Sequence, residues 1–235
     1  MVSRPTGSTE VRAPAGRRRT LIKTAGRVDS ATTEQGSSLA RAALRFAVHC
    51  HTGQKRESDG AAFIEHPLEV ARLLRDTGCS DVLVTAGLLH DVVTEAHVSA
   101  DELTARFGTA VADLVQAVTD DWCVDSYRQR KQVLREQVRS AGADAALLFA
   151  ADEIAELREL PAQIGSDWAR FDASACESRA HEHVQRYHQM RLEHYRESLE
   201  MLQDVAPRQH PLVQRLADDL EEWPSTPERS DRRRR

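Results

Sequence analysis

Apolar residues recur at spacings of three and four along most of the chain, the period of an amphipathic helix. The first such run has an apolar face made of Leu39, Ala43, Phe46, Ala47 and Cys50. Ser37 or Ser38 can cap this helix at its N-terminus, and Gly53 can end it. The pattern therefore predicts a first helix over about 37–53.

Two further helices are predicted before residue 95. Pro67 suits the first turn of the second helix, which ends at Gly78. Ser80 begins the third, which is apolar on nearly every side from Val82 to Val93. A helix that is apolar all round is typical of the centre of a domain, so we expect this one to be buried.

The rest of the chain keeps the helical period. A capping box at Ser99 to Glu102 opens a short helix that ends at Gly108. Further helices are predicted over 111–118, 127–139, 143–160 and about 175–204. Pro161 should stop the third of these. Because alternating strand patterns are scarce, the sequence predicts an all-α fold.

The two ends differ from the middle in composition and charge. Residues 1–36 are rich in small polar residues and carry +4, and residues 224–235 carry +3. We predict a disordered basic arm and a disordered basic tail, since neither end can bury enough apolar surface. Between them we predict a domain over 37–205 and a C-terminal helix within 206–223. Because the whole chain carries −5, this middle part carries −12.

These properties limit the partners and the location. An acidic body repels phosphate backbones, so no DNA or RNA is expected along it. No apolar stretch is long enough for a membrane span, and the N-terminus lacks a signal-peptide pattern. The four widely spaced cysteines are typical of reduced thiols. We expect a cytoplasmic protein without membrane contact, and a homo-oligomer is left open.

The strongest candidate for a functional site is the pair His90-Asp91, within the most apolar predicted helix. Burying a carboxylate there is costly unless a partner compensates, and a divalent cation is an effective one. The alternative is a helix end that faces water. The dipeptide alone does not decide between the two.

Other motifs surround this pair, and their order and spacing match a known family. They are Gly53-Gln54-Lys55-Arg56, Phe63-Ile64-Glu65-His66-Pro67, His90-Asp91-Val92-Val93, Val118-Thr119-Asp120 and Ala151-Asp152, with 24 residues from His66 to His90. Over about 38–205 the chain resembles the hydrolase domain of the RelA/SpoT family and the small alarmone hydrolases. The resemblance implies an HD-domain helical bundle that removes the 3′-pyrophosphate of ppGpp-like nucleotides, a small-molecule substrate.

The resemblance also implies roles for particular residues. One divalent metal, usually manganese, would be held by His66, His90, Asp91 and Asp152. Substrate-binding positions would be Arg56, which packs against the guanine base, together with Lys55, Phe63, Glu156 and Tyr187. For Phe63 and Tyr187 the alternative is packing in the core. For Arg56 and Lys55 it is an exposed charge.

The chain departs from the family pattern at two places. Where relatives have a catalytic Glu-Asp pair after the metal ligands, this chain has Thr94 and Glu95, so the catalytic candidates are Glu95, Thr94 and Asp91. Losing a positioned acid or base typically costs about 10²- to 10⁴-fold in rate. Glu153 and Glu156 stand where relatives have basic or neutral residues, and we expect both carboxylates to disfavour a highly charged substrate.

These departures leave three functional hypotheses. The first is hydrolysis of ppGpp-like alarmones, and the second is hydrolysis of another phosphorylated nucleotide. The third is a catalytically weakened domain that binds a nucleotide without turning it over. Glu95 and Glu156 could serve as replacement bases, bind a second cation, or be solvated surface groups. A second cluster of imidazoles, namely His181, His183, His188 and His194, does not share one helical face and is expected to be mostly exposed.

Overall fold

The computed structural model describes residues 26–172 and 177–223, and side chains within 38–167, at 182 and within 184–223. The helices are α1 (Gly26–Cys50), α2 (Glu65–Asp76), α3 (Asp81–Leu89), α4 (Val92–Ala96), α5 (Ala100–Phe107), α6 (Thr109–Ala117), α7 (Tyr127–Ala141), α8 (Ala143–Asp172), α9 (Glu177–Val205) and α10 (Pro211–Glu221). In these ranges no strand is formed, and only an isolated bridge joins Lys55 to Ala62. The all-α prediction is confirmed.

Helix α3 lies at the centre of the bundle. Every residue from Leu83 to Leu89 is buried, because α1, α2, α6 and α8 pack around it. Gly87 lets α2 approach closely, since a Cβ at this position would lie 2.7 Å from Leu74 Cδ1. The side chain of Ser80 caps α3 by accepting a hydrogen bond from the backbone N–H of Leu83 at 3.3 Å. The predicted central helix is therefore present, but it is shorter than predicted.

The chain interrupts this predicted helix at the point that carries its chemistry. Helix α3 ends at Leu89 and α4 begins at Val92, so His90 and Asp91 form a turn between the two helices. His90 remains 3% exposed, whereas Asp91 is only half-buried. The turn gives both side chains access to one point beside the core.

Two helices extend beyond their predicted limits. Helix α1 begins at Gly26 rather than near Ser37, since a nucleated helix gains a hydrogen bond for each added residue without needing a buried face. Helix α8 continues through Pro161 to Asp172. A proline removes one helical hydrogen bond, and the buried side chains of Leu160 and Ile164 on either side support the helix here.

The C-terminal part completes the core. Helix α9 packs along α8, and α10 packs against both. The buried side chains of α10 that join the common apolar core are Leu212, Val213, Leu216 and Leu220. Within the described ranges no helix combines the length and apolarity that crossing a bilayer requires. Residues 1–25 and 224–235 lie outside the described residues.

Candidate active site

Three parts of the fold bring the predicted metal ligands to one place. His66 lies in the first turn of α2, directly before Pro67. His90 and Asp91 form the turn that follows α3, and Asp152 lies in α8. Since α2, α3 and α8 pack against one another, these four side chains meet although up to 86 residues separate them along the chain.

The donor atoms of this cluster are close together. The Nε2 atoms of His66 and His90 are 3.2 Å apart. Asp152 Oδ1 lies 3.0 Å from the first and 3.2 Å from the second. Asp91 Oδ2 lies 3.1 Å from His90 Nε2 and 3.6 Å from His66 Nε2. Ligands bound at about 2.0–2.2 Å to one cation stand roughly 3.0–3.5 Å apart, so the donors of His66, His90 and Asp152 fit a single divalent metal. Asp91 Oδ2 adjoins the two imidazoles of this group.

Both imidazole rings are oriented through their second nitrogen. His66 Nδ1 lies 3.1 Å from Glu159 Oε1, and His90 Nδ1 lies 2.9 Å from the carbonyl oxygen of Gly87. A carboxylate and a carbonyl only accept hydrogen bonds, so each Nδ1 carries the proton and donates it. In the neutral form of each ring, Nε2 then carries the lone pair on the side of the cluster, as metal ligation requires.

The imidazoles and carboxylates of the cluster shift each other's pKa values. Burial would lower the pKa of both rings, but Asp152 and Glu159 raise the pKa of His66 to about 10. Asp91 and Asp152 likewise raise the pKa of His90 well above its usual value. Burial would raise the pKa of Asp152, but the two imidazoles hold it far below its usual range. A site that favours protons this strongly also favours a divalent cation, which competes with them.

A cavity of about 220 Å³ opens beside the cluster. Six predicted site residues line it, namely Arg56, Phe63, His66, Asp91, Glu95 and Glu156. The other five, which are His90, Asp152, Lys55, Thr94 and Tyr187, do not line it. The exposed Lys55 only pairs its backbone with Ala62, and Tyr187 is 39% exposed with its ring 6.0 Å from that of Tyr127.

Arg56 is fixed by carboxylates on its edges. Its Nε donates to Asp59 Oδ1 at 3.2 Å, and its Nη1 donates to Glu159 Oε1 at 3.0 Å. Its side chain is only 16% exposed. Because carboxylates hold one N–H on each of its three nitrogens, we expect a ligand to contact the flat face of the guanidinium.

The two residues after the metal ligands behave differently. Thr94 Oγ1 donates to the carbonyl oxygen of Asp91 at 3.1 Å, a local bond from α4 to the turn before it. Glu95 lines the cavity, and burial together with Asp91 raises the pKa of its carboxylate. Of this pair, only Glu95 presents an ionisable group to the cavity.

The two unexpected glutamates of α8 lie in different environments. Glu156 lines the cavity, where its Oε2 accepts a hydrogen bond from the Tyr195 hydroxyl at 3.2 Å and lies 3.8 Å from Arg191 Nη2. Glu153 does not line the cavity and is 2% exposed. Burial raises the pKa of Glu153 to about 8. Of the two carboxylates, only Glu156 therefore lines the cavity.

Two histidines of α9 that were expected to be exposed are buried. His188 and His194 are both 3% exposed, because each meets a carboxylate of α8. His188 Nε2 lies 3.2 Å from Asp167, and His194 Nε2 lies 2.9 Å from Glu153. Burial and Lys131 lower the pKa of His194 to about 3. The side chains of His181 and His183 lie outside the described residues.

The sequence analysis missed two residues that shape the site. Glu159 contacts both His66 and Arg56. Arg191, from α9, lines the cavity and donates to the Tyr195 hydroxyl at 2.9 Å. For Glu159 a signal was available, because it follows Asp152 by two helical turns and so shares its face. For Arg191 no local pattern points to the cavity.

Comparisons with known proteins agree with this geometry. A family model of the HD domain matches residues 43–170. The guanosine-3′,5′-bis(diphosphate) 3′-pyrophosphohydrolase MESH1 of Mus musculus is 35% identical over 130 residues, which cover 54% of this chain and 72% of that protein. A probable guanosine-3′,5′-bis(diphosphate) 3′-pyrophosphohydrolase of Synechocystis sp. is 44% identical over 77 residues, which cover 33% of this chain and 10% of that protein.

A solved structure extends the likeness to the fold. It is described as a metazoan ortholog of SpoT that hydrolyzes ppGpp, and it matches with a TM-score of 0.60 and 22% identity over 78% of this chain and 94% of its own. The helical bundle and its His-His-Asp cluster thus define a metal-dependent hydrolase. The chain belongs to the HD-domain family, and the resemblance drawn from its sequence motifs is confirmed.

Proposed function

We propose that this chain is a manganese-dependent hydrolase that removes the 3′-pyrophosphate of ppGpp-like nucleotides. The observation that carries the proposal is the convergence of the donor atoms of His66, His90 and Asp152 within 3.0–3.2 Å of one another, with Asp91 3.1 Å from His90, beside a cavity. The MESH1 relatives, named for this hydrolysis, supply the substrate class.

His66, His90, Asp91 and Asp152 would hold the cation. When bound, a divalent metal supplies a Lewis acid for a phosphoryl oxygen and makes water more acidic. The carboxylate oxygens of this donor set suit manganese, and manganese is the metal that the family resemblance implies. Two nitrogens and two oxygens also leave coordination positions free for a substrate.

Glu95 is our candidate for the general base. Its carboxylate lines the cavity next to Asp91, and its raised pKa favours accepting a proton from water. Water would form a bond to the phosphorus attached at the 3′ oxygen, and the bond between that oxygen and phosphorus would break. Glu95 would take the proton of the water, and the 3′ oxygen would regain one as the hydroxyl. Thr94 supports only the local helix in this scheme.

Arg56 is our candidate for base recognition. With its edges held by Asp59 and Glu159, it offers a flat cationic face on which a guanine ring can stack. Phe63, whose ring centre lies 6.3 Å from that of His66, forms another part of the cavity wall. Lys55 and Tyr187 have no direct role in this proposal, because neither side chain lines the cavity.

One observation favours a second candidate substrate. Glu156 adds a carboxylate to the cavity wall, and this charge disfavours a nucleotide with two pyrophosphate groups. Hydrolysis of a less highly charged phosphorylated nucleotide at the same site is therefore the alternative. A domain that binds without turnover, the third hypothesis, would retain the metal but release no product.

The decisive experiment is a product-resolved assay. Purified protein loaded with Mn²⁺ is incubated with ppGpp and, separately, with a panel of nucleoside mono-, di- and triphosphates. We expect GDP and pyrophosphate from ppGpp well above the level of the Asp152→Ala variant. If neither product exceeds that level, alarmone hydrolysis is refuted, and the panel then separates the two remaining hypotheses. A cytoplasmic location and the oligomeric state stay predictions.

A further inference from the structure

One carboxylate touches both the metal cluster and the cavity wall. Glu159 Oε1 lies 3.1 Å from His66 Nδ1 and 3.0 Å from Arg56 Nη1. Its other oxygen, Oε2, accepts a hydrogen bond from the hydroxyl of Ser58 at 3.3 Å. The Glu159 side chain is 24% exposed. It follows Asp152 by two turns of α8, so both carboxylates lie on the helix face toward α2.

We propose that Glu159 is a positioning residue that links metal binding to nucleotide binding, by holding His66 and Arg56 with the same oxygen atom. The part concerning Arg56 rests on the proposed function, whereas the part concerning His66 does not. A cation on Nε2 polarises the imidazole and strengthens the hydrogen bond from Nδ1 to its carboxylate partner. A more firmly held Glu159 in turn fixes the guanidinium of Arg56.

The neighbouring contacts separate this role from general support. Asp59, in the loop before α2, also binds Arg56, accepting from Nε through Oδ1 at 3.2 Å and from Nη2 through Oδ2 at 2.5 Å. In the described part of the chain no contact joins Asp59 to His66. An asparagine at this position keeps Oδ1, which also accepts a hydrogen bond from the backbone N–H of Ala61 at 3.0 Å. Removing the charge of Asp59 should therefore disturb Arg56 but not His66, whereas changing Glu159 should disturb both.

The test compares Glu159→Ala with Asp59→Asn. Manganese affinity is measured on the metal-free proteins by competition with a chelator, and KM is measured separately on the loaded proteins. Loss of a carboxylate behind a ligating histidine typically costs about 10- to 100-fold in metal affinity. We expect a loss of this size in Glu159→Ala, with a raised KM. In Asp59→Asn we expect a raised KM and a metal affinity within twofold of the parent.

Two results would overturn the inference. One is a loss of manganese affinity below tenfold in Glu159→Ala, and the other is an equal loss in Asp59→Asn. Thermal unfolding of the metal-free proteins checks that each variant folds. If Glu159→Ala does not fold, Glu159→Gln replaces it, for which we expect at least a threefold loss and take any smaller loss as refutation. Because metal affinity needs no turnover, a failed hydrolysis assay would leave this test intact.

Discussion

Replacing the buried Glu153 by glutamine should stabilise the protein, and only at neutral to alkaline pH. Glu153 is 2% exposed, and burial raises the pKa of its carboxyl from 4.5 to about 8. A pKa raised in the folded state means that this group favours folding most below pH 4.5, and that its contribution is lost as the pH rises through 8. At about 1.36 kcal/mol for each pKa unit, the full loss is roughly 5 kcal/mol.

Glutamine has nearly the same shape and cannot ionise, so Glu153→Gln avoids this loss. Its amide oxygen would take the place of the carboxylate oxygen that now lies 2.9 Å from His194 Nε2. We expect the free energy of unfolding to be nearly unchanged at pH 4.5 and to rise by about 3–5 kcal/mol at pH 8.5.

Urea denaturation of the metal-free protein at these two pH values measures the effect. Glu197→Gln is the control, because it also removes a carboxylate, but an exposed one that pairs with Arg135 of α7. Exposed pairs contribute about 1 kcal/mol or less, so we expect its free energy of unfolding to change by no more than that. If Glu153→Gln were less stable than the parent at pH 8.5, the ionised carboxylate would form a net favourable pair with Lys131 and Arg135. Our account of this buried cluster would then be wrong.

Three other substitutions test separate parts of the structure. Glu95→Gln should lower kcat by about 10²- to 10⁴-fold with the bound metal unchanged, and an unaltered kcat would remove Glu95 from the mechanism. Arg56→Ala should raise KM roughly tenfold or more through lost stacking. Arg56→Lys should raise KM as well, because an ammonium group has no flat face. A KM equal to that of the parent in steady-state kinetics would contradict this role. Gly87→Ala should reduce the free energy of unfolding by about 1–3 kcal/mol in urea denaturation, since its Cβ would lie 2.7 Å from Leu74 Cδ1; full stability would show that α2 and α3 can move apart.

Local sequence signals predicted much of the fold. Ser80 and Ser99 cap their helices by accepting hydrogen bonds from backbone N–H groups, as their positions before apolar runs indicate. The all-apolar run after Ser80 lies at the centre of the bundle. The limits of α1 and α8 were less predictable, because Pro161 breaks a helix only where packing does not outweigh one lost hydrogen bond.

Site residues within a sequence motif could be predicted, whereas site residues that are brought in by tertiary contacts could not. The resemblance named His66, His90, Asp91 and Asp152, and their donor atoms do lie close together. Glu153 was misjudged because neighbours in sequence point about 100° apart around a helix. Residues four and seven positions after Asp152 share its face instead, and these are Glu156 and Glu159.

The remaining features that the sequence did not predict depend on contacts between residues far apart in the chain. The burial of His188 and His194 depends on how α9 lies along α8, which spacing within α9 does not reveal. The bond from Glu159 to His66 joins residues 93 positions apart. Such pairs follow from the packing of the bundle, and a single sequence contains no direct signal for them.

The central claim is that four side chains from three parts of the fold hold one divalent cation. Metal analysis of the purified protein, combined with manganese titration of the metal-free form, tests it most directly. We predict one tightly bound cation per chain in the parent and a loss of that binding in Asp152→Asn, which keeps the shape of the side chain and removes its charge. Binding of equal stoichiometry and affinity in both proteins would contradict the claim.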